Sequence, residues 1–189
     1  MSIEITIPPS TSPISIAEVK SNSNIFHNDD DVLIQGYIDA AVEYVEKYCG
    51  IALIERAGNI YIDCFTDVIY SPIHPLKDVS AINYIDQNGV TQTVNSSIYK
   101  VDYKSNPSKI SLKANQSWPD TANELNAVII ESEIGYGNAS EVPNAIKQAL
   151  LLIVDHWYEH RSIISELSLN LIPELNLEGL LVRYRTHIL

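Results

Sequence analysis

Hydrophobic positions follow a helical period most strongly between residues 143 and 161. The apolar side chains stand three or four residues apart, which places them on one face of an α-helix. They are Ile146, Leu150, Ile153, Val154 and Trp157. Pro143 suits the first turn of this helix, where a missing N–H leaves no helical bond unmade. Leu151 and Leu152 widen the apolar surface, so we expect the helix to be buried inside the subunit.

Three further helices are predicted on the two sides of the chain's middle. Ser15 and Glu18 fit a capping box that begins a short helix. A longer helical period runs over 30–49, with carboxylates at 29–31 favouring its N-terminus and Gly50 ending it. Leucines within 177–184 indicate a short final helix.

From residue 59 the hydrophobic period changes to two, which is typical of β-strands. The predicted strands begin at the alternation over 60–65 and continue over 79–85, 90–94, 98–103, 109–112 and 128–134. Asn88-Gly89 predicts a two-residue hairpin turn, since both residues tolerate a positive φ. Consecutive short strands of this kind predict an antiparallel sheet or a small barrel.

The pattern therefore predicts an α+β protein. N- and C-terminal helices pack together into a helical body, with an antiparallel β region inserted between them. Residues 1–13 contain three prolines and several Ser and Thr residues, and are predicted to be a flexible arm. A single domain follows over 14–189, with helical parts at 14–50 and 141–189 and the β insertion at about 57–136.

The charge of the chain limits the kinds of partner that we expect it to bind. Twelve basic residues against 24 acidic residues give a net charge of −12. Such a surface repels phosphate backbones and anionic membranes, so we expect neither tight wrapping of nucleic acid nor a membrane partner. Two cysteines do not make a disulfide scaffold, and no signal peptide or bilayer-spanning apolar run is present in the sequence.

One motif points to metal chemistry. His156, Glu159 and His160 form an H-x-x-E-H pattern on the predicted helix, which could place two zinc ligands and a general base on one face. The sequence offers no supporting third ligand, and Trp157 lies on the apolar stripe between them. We therefore favour a protein without catalytic residues, metal or cofactor, and keep a zinc-dependent hydrolase as the alternative.

Two clusters are candidate interaction surfaces. Four of the twelve basic residues fall within fourteen positions, at Lys100, Lys104, Lys109 and Lys113. They form either a solvated hairpin or a contact with an acidic partner or with DNA phosphates. Alternating leucines form the second cluster before a proline, and are hard to leave in water. They are Leu167, Leu169 and Leu171.

Several short blocks, taken in order, resemble bacteriophage head–tail connector (adaptor) proteins. The blocks are I-A-E at 16–18, D-D-D-V-L-I at 29–34, P-I-H-P-L at 72–76, Q-S-W-P at 116–119, G-Y-G at 135–137, W-Y-E-H-R at 157–161 and L-L-V-R-Y-R at 180–185. The chain departs from the family pattern at His160, where Asn is usual, so the H-x-x-E-H match is interpreted as a by-product of a structural motif.

The resemblance implies a structural virion protein rather than an enzyme. Connectors of this family form a dodecameric ring beneath the portal, extend the DNA channel without sequence-specific binding and offer an attachment surface to the tail or a stopper protein. The expected partners are thus other copies of the chain, the portal protein and a tail or stopper protein. The expected location is the virion, after assembly in the host cytoplasm. Six residues in matching blocks are predicted to be structural: Gly135, Gly137, Pro143, Trp157, Tyr158 and Arg161.

Overall fold

The computed structural model describes residues 1–160 and 174–186, with the side chains of 174–176 left out of the description. The described chain folds into two compact units, each built from separate stretches of sequence. The helical unit comprises Thr11–Ile54 and the described part of 137–185. The β unit comprises Met1–Ser10, Glu55–Tyr136 and Thr186. The combination of helices with antiparallel sheets confirms the predicted α+β class.

Four α-helices lie in the part of the helical unit that the structure describes. They are α1 (Ile16–Asn22), α2 (Asp31–Cys49), α3 (Asn144–Glu159) and α4 (Glu174–Leu181), with short 3-10 turns at Ala139–Glu141 and Val182–Tyr184. The buried residues of α3 are spaced as predicted, and α3 packs against α1, α2 and α4. None of the described helices has the length and apolarity needed to cross a lipid bilayer.

The helix ends follow the local sequence. The Ser15 hydroxyl accepts from the Glu18 backbone N–H, and the Glu18 carboxylate accepts from the Ser15 N–H, which confirms the predicted capping box. Gly50 ends α2 at φ 67°, a left-handed conformation that suits glycine. Asp30 is the N-cap residue of α2 and makes no side-chain capping bond. Asp31 places a carboxylate in the first turn, as the sequence predicted.

The described residues of the β unit form eight antiparallel strands in two sheets. They are β1 (Ser2–Ile7), β2 (Arg56–Ile62), β3 (Val68–Tyr70), β4 (Leu76–Ile85), β5 (Thr91–Thr93), β6 (Tyr99–Asp102), β7 (Lys109–Leu112) and β8 (Val128–Ile134). The five-stranded sheet has the order β1-β2-β8-β4-β5 and the three-stranded sheet the order β3-β7-β6. Buried residues from both sheets meet in one core, which includes Ile60, Ile82, Ile110 and Ile130.

Two local predictions differ from the structure. The predicted flexible arm contains β1, which pairs with β2 as an edge strand of the larger sheet. The alternating residues Ile3, Ile5 and Ile7 supply the period of two that the prolines obscured. The β4–β5 hairpin forms at Asn88-Gly89, but its loop is longer than two residues because Ile85 pairs with Thr91. The Asp86 carboxylate accepts from the N–H groups of Asn88 and Val90 within that loop.

Candidate interaction surfaces

The H-x-x-E-H residues lie at the C-terminal end of α3. The His156 and His160 rings stack with centroids 4.4 Å apart, and His160 Nδ1 lies 3.0 Å from the His156 carbonyl oxygen. Glu159 and His160 are exposed. Within residues 1–160 and 174–186, no three His, Cys, Asp or Glu side chains come together as metal ligands would. The described geometry therefore gives the zinc hypothesis no third ligand.

The four lysines of the cluster surround the β6–β7 hairpin. Lys100 lies opposite Ser111, and Asp102 opposite Lys109, in the β6–β7 register. Lys100, Asp102, Lys109 and Ser111 share one face of the hairpin. The buried residues Tyr99 and Ile110 point to the opposite, core face, because side chains alternate along a strand. The sequence thus predicted the hairpin, and the alternation of the strands gives it one polar face.

Two of the four lysines are used inside the subunit. Lys109 Nζ lies 3.7 Å from Asp102 Oδ2, and Lys113 Nζ donates to the Ser97 carbonyl at 2.9 Å. Backbone N–H groups of Lys104 and Ser105 hold the pKa of the Asp102 carboxyl below its usual value, and the charge of Lys109 adds to this effect. Lys109 and Lys113 therefore have partners inside the subunit.

The other two lysines remain available. Lys100 and Lys104 are exposed, and their amino groups form no hydrogen bond or ion pair with any residue that the structure describes. On Tyr70 and Tyr103 nearly half of the side-chain surface is exposed, and these residues belong to or adjoin the strands of the same three-stranded sheet. This surface combines free positive charge with exposed aromatic rings.

The predicted structural residues near the β8–α3 connection have identifiable roles. Gly135 and Gly137 adopt φ of 110° and 127°, which L-residues rarely reach. A Cβ atom on Gly137 would lie 1.7 Å from Glu141 Oε2. That carboxylate accepts from the Asn138 N–H at 2.9 Å, closing a capping box. Pro143 is the N-cap residue of α3.

The aromatic pair of α3 lies near the surface of the helical unit rather than in its core. Trp157 is partly exposed and makes an edge-to-face contact with Tyr37, at 6.3 Å between ring centroids. The Tyr158 hydroxyl donates to Asp30 Oδ2 at 2.8 Å. The prediction that Trp157 belongs to the buried stripe of α3 needs correction, because this residue is partly exposed. Tyr158, by contrast, connects α3 to the N-cap residue of α2. Arg161, Leu167, Leu169 and Leu171 lie outside the described residues.

Sequence reasoning missed one surface of the helical unit. Phe26 is 93% exposed and Val32 is 89% exposed, although large apolar residues are usually buried. Leu33 beside them is 37% exposed. A signal was present for Val32, since it lies off the apolar stripe that Ile34 and Ile38 begin. Phe26 lies in a connecting segment, where no hydrophobic period indicates which side chains are exposed.

A groove with largely apolar walls also forms in the helical unit. It encloses about 390 Å³ and is bounded by Tyr44 of α2, Leu177 of α4 and several residues of α3, including Leu152 and Trp157. Pockets of this size accept one or two large side chains or a small ligand. The polar residues among the described walls are Asp155, His156, Glu159 and His160.

Comparisons with known proteins match most or all of this chain. The family model for phage gp6-like head-tail connector protein matches residues 13–177. A protein from the neck of an empty GTA particle, computed with C6 symmetry, is 20% identical to this chain and has a TM-score of 0.80. The match covers 100% of this chain and 97% of that protein's chain. A neck of a native GTA particle, computed with C12 symmetry, gives 20% identity, the same coverage and a TM-score of 0.79.

A third match comes from the virion of a native gene transfer agent particle, at 19% identity and a TM-score of 0.78, again over 100% of this chain and 97% of that chain. A comparison with curated proteins found no match. At these identities the solved structures show a common fold, and the family model shows kinship over most of the sequence.

Proposed function

Because the chain belongs to the phage gp6-like head–tail connector family, we propose that it forms a ring beneath the portal of a tailed phage and receives the tail or a stopper protein. The observation that carries this proposal is the agreement of the family match over 13–177 with a full-length fold match to GTA neck structures. The family is one of structural virion proteins, and the zinc-hydrolase alternative has no support from the family or from the solved structures. We propose that the chain has no enzymatic activity.

Ring formation is supported by the symmetry used for the similar neck structures. One was computed with C12 symmetry and one with C6 symmetry, and a ring of twelve subunits satisfies both. A closed ring needs two different, complementary surfaces on each subunit. We propose twelve copies in the particle, as the resemblance to connectors implies.

The net charge of −12 fits a channel that DNA passes through. A lumen of negative charge repels phosphates and so gives DNA no site at which to bind tightly. The free lysines Lys100 and Lys104 are then better suited to an acidic protein surface on a neighbour or on the portal. DNA phosphates remain the second possible partner for these two residues.

The main test uses phage particles made without this chain. We expect a deletion of its gene to give filled heads without tails, and purified protein added to those heads to restore tail joining. Electron microscopy of the restored particles should show a twelve-fold ring between portal and tail. Tailed, infectious particles formed without the chain would disprove the connector role.

A second test separates the lysines by their contacts. Replacing Lys100 and Lys104 with Gln should leave the thermal midpoint unchanged and weaken assembly on heads, most strongly at low salt, where charge attraction is least screened. The matched variant replaces Lys109 and Lys113, whose amino groups have partners inside the subunit, and should lower the thermal midpoint. Equal assembly of the Lys100/Lys104 variant at all salt concentrations would contradict this role.

The alternating leucines are proposed as a further contact with the portal or a neighbouring subunit. Deleting the whole C-terminal region is a poor test, because Leu181 is buried and the Arg185 guanidinium lies 5.2 Å from the centre of the Tyr48 ring. Serine at Leu167, Leu169 and Leu171 is the better variant. It should fold normally and fail to join heads; normal tail joining would show that these leucines are not an interface.

A further inference from the structure

Phe26, Val32 and Leu33 are exposed apolar residues close together in sequence, here called the apolar knob. These residues lie in the connection between α1 and α2 and in the first turn of α2. A single exposed apolar residue is ordinary on a protein surface. Three within eight positions, with the side chain of Phe26 almost entirely in water, are characteristic of a surface that becomes covered in an assembly.

The segment that carries the apolar knob is held firmly. Lys20 Nζ donates to Asn28 Oδ1 at 2.6 Å and to Asp31 Oδ1 at 2.8 Å, which ties the α2 end of the connection to α1. Ile25 beside Phe26 is buried, and its N–H donates to the Lys20 carbonyl. A rigid loop loses little conformational entropy on binding, so an exposed aromatic ring on it is well suited to be an interface anchor.

The same helical unit carries a matching recess. The groove between α2, α3 and α4 has apolar walls that include Tyr44, Leu152 and Trp157, and its 390 Å³ can take an aromatic side chain. No residue of the apolar knob lines this groove, and the exposure of Phe26 shows that the ring does not fill it within its own subunit. An exposed apolar anchor and an apolar groove that it does not fill supply the two different surfaces that a head-to-tail contact requires.

We propose that the apolar knob of each subunit inserts into the groove of the next copy around the ring. This inference rests on the proposed ring, because a cyclic assembly joins two different patches of the same chain, and closes when the rotation repeats. The occupant of the groove is thus a second copy of this chain, with Phe26 as its central anchor. A portal or tail protein bound to the knob would be a different interface.

The first experiment asks what Phe26 contacts. The photo-crosslinking residue p-benzoylphenylalanine replaces Phe26, and a mixture of ¹⁵N-labelled and unlabelled subunits is assembled on heads that lack this chain. We expect crosslinks between labelled and unlabelled copies, joining position 26 to peptides that contain Leu152, Trp157 or Leu177. The same residue placed at Leu125, an apolar side chain of the β unit that is 80% exposed, is the control and should give none of these products.

The second experiment measures the contribution of the knob. Phe26→Ser should keep the wild-type thermal midpoint, since the ring is exposed in the free subunit. It should raise the protein concentration needed for half-maximal assembly by at least about ten-fold, as expected for an interface anchor. Leu125→Ser should change neither quantity.

The outcomes separate this inference from the connector role. If wild-type subunits form no ring on heads, the proposed function fails. If they form rings, but Phe26→Ser assembles equally well or position 26 crosslinks to another protein or another surface, the knob-and-groove contact is wrong and the connector role stands.

Discussion

Gly137→Ala should destabilise the helical unit through two separate effects. The first is the backbone, since φ of 127° is unfavourable for alanine and costs about 1–3 kcal/mol. The second is the new Cβ, which would lie 1.7 Å from Glu141 Oε2 and must displace that carboxylate. Displacement breaks its bond to the Asn138 N–H, and losing such a cap costs about 0.5–2 kcal/mol. We expect a total loss of about 1.5–5 kcal/mol.

A double-mutant cycle can distinguish these two effects. Glu141→Ala alone should lose only the cap. In the Glu141→Ala background the carboxylate is already gone, so Gly137→Ala should then cost only the backbone part, and the double variant should be more stable than the sum of the single changes predicts. Urea unfolding followed by the helical circular dichroism signal gives all four free energies of unfolding.

Two other glycines serve as controls for this cycle. Gly89 has φ of 77° and open space around its missing Cβ, so Gly89→Ala should show backbone strain alone. Gly36 lies inside α2 with open space and no positive φ, so Gly36→Ala should stabilise the protein by about 0.5–1 kcal/mol. Strictly additive effects of Gly137→Ala and Glu141→Ala, or a cost for Gly137→Ala no larger than that for Gly89→Ala, would refute the clash argument.

Three further predictions concern side-chain chemistry. Burial raises the pKa of the Cys49 thiol to about 11. A thiol reagent at pH 8 should therefore label the exposed Cys64 at once and Cys49 only on unfolding. Rapid labelling of both thiols in the native protein would contradict this prediction. Hydrogen bonds from Ser15 lower the pKa of Glu18, so the charged carboxylate stabilises the fold at pH values above 4.5, the pKa of the unfolded chain. The difference in the free energy of unfolding between wild type and Glu18→Gln should therefore disappear as the pH falls below 4.5. A difference that stays constant from about pH 7 to about pH 3 would rule this out. Protein purified without added metal should hold no stoichiometric zinc by elemental analysis, and zinc that disappears with His160→Ala would revive the hydrolase alternative.

The sequence predicted those elements whose signals are local. The helices α2 and α3 and the strands β7 and β8 follow uninterrupted apolar periods, and their bounds agree with prediction to within two residues. In α2 the buried residues include Ile38, whereas the neighbouring Tyr37 is partly exposed. By contrast, β3 has only three residues, which is too short for any period to be recognised.

The remaining features depend on long-range contacts. Strand order is one of these, since nothing near β8 in sequence indicates that it pairs with both β2 and β4. The interaction surfaces are another. Clustering of lysines was visible in the sequence, but the pairing of Lys109 with Asp102 depends on the strand register. Exposure of Phe26 depends on how the whole connection folds, and a composition or period cannot report it.

The position of β8 in its sheet has a consequence for synthesis on the ribosome. This strand lies between β2 and β4, yet among the strands that the structure describes it is the last to leave the ribosome. Helix α3, on which α1 and α2 pack, follows it directly. A nascent chain that stops before Val128 therefore lacks the central strand of one unit and the central helix of the other. Such fragments would expose apolar surface to proteases, so we expect truncated products to be degraded instead of accumulating.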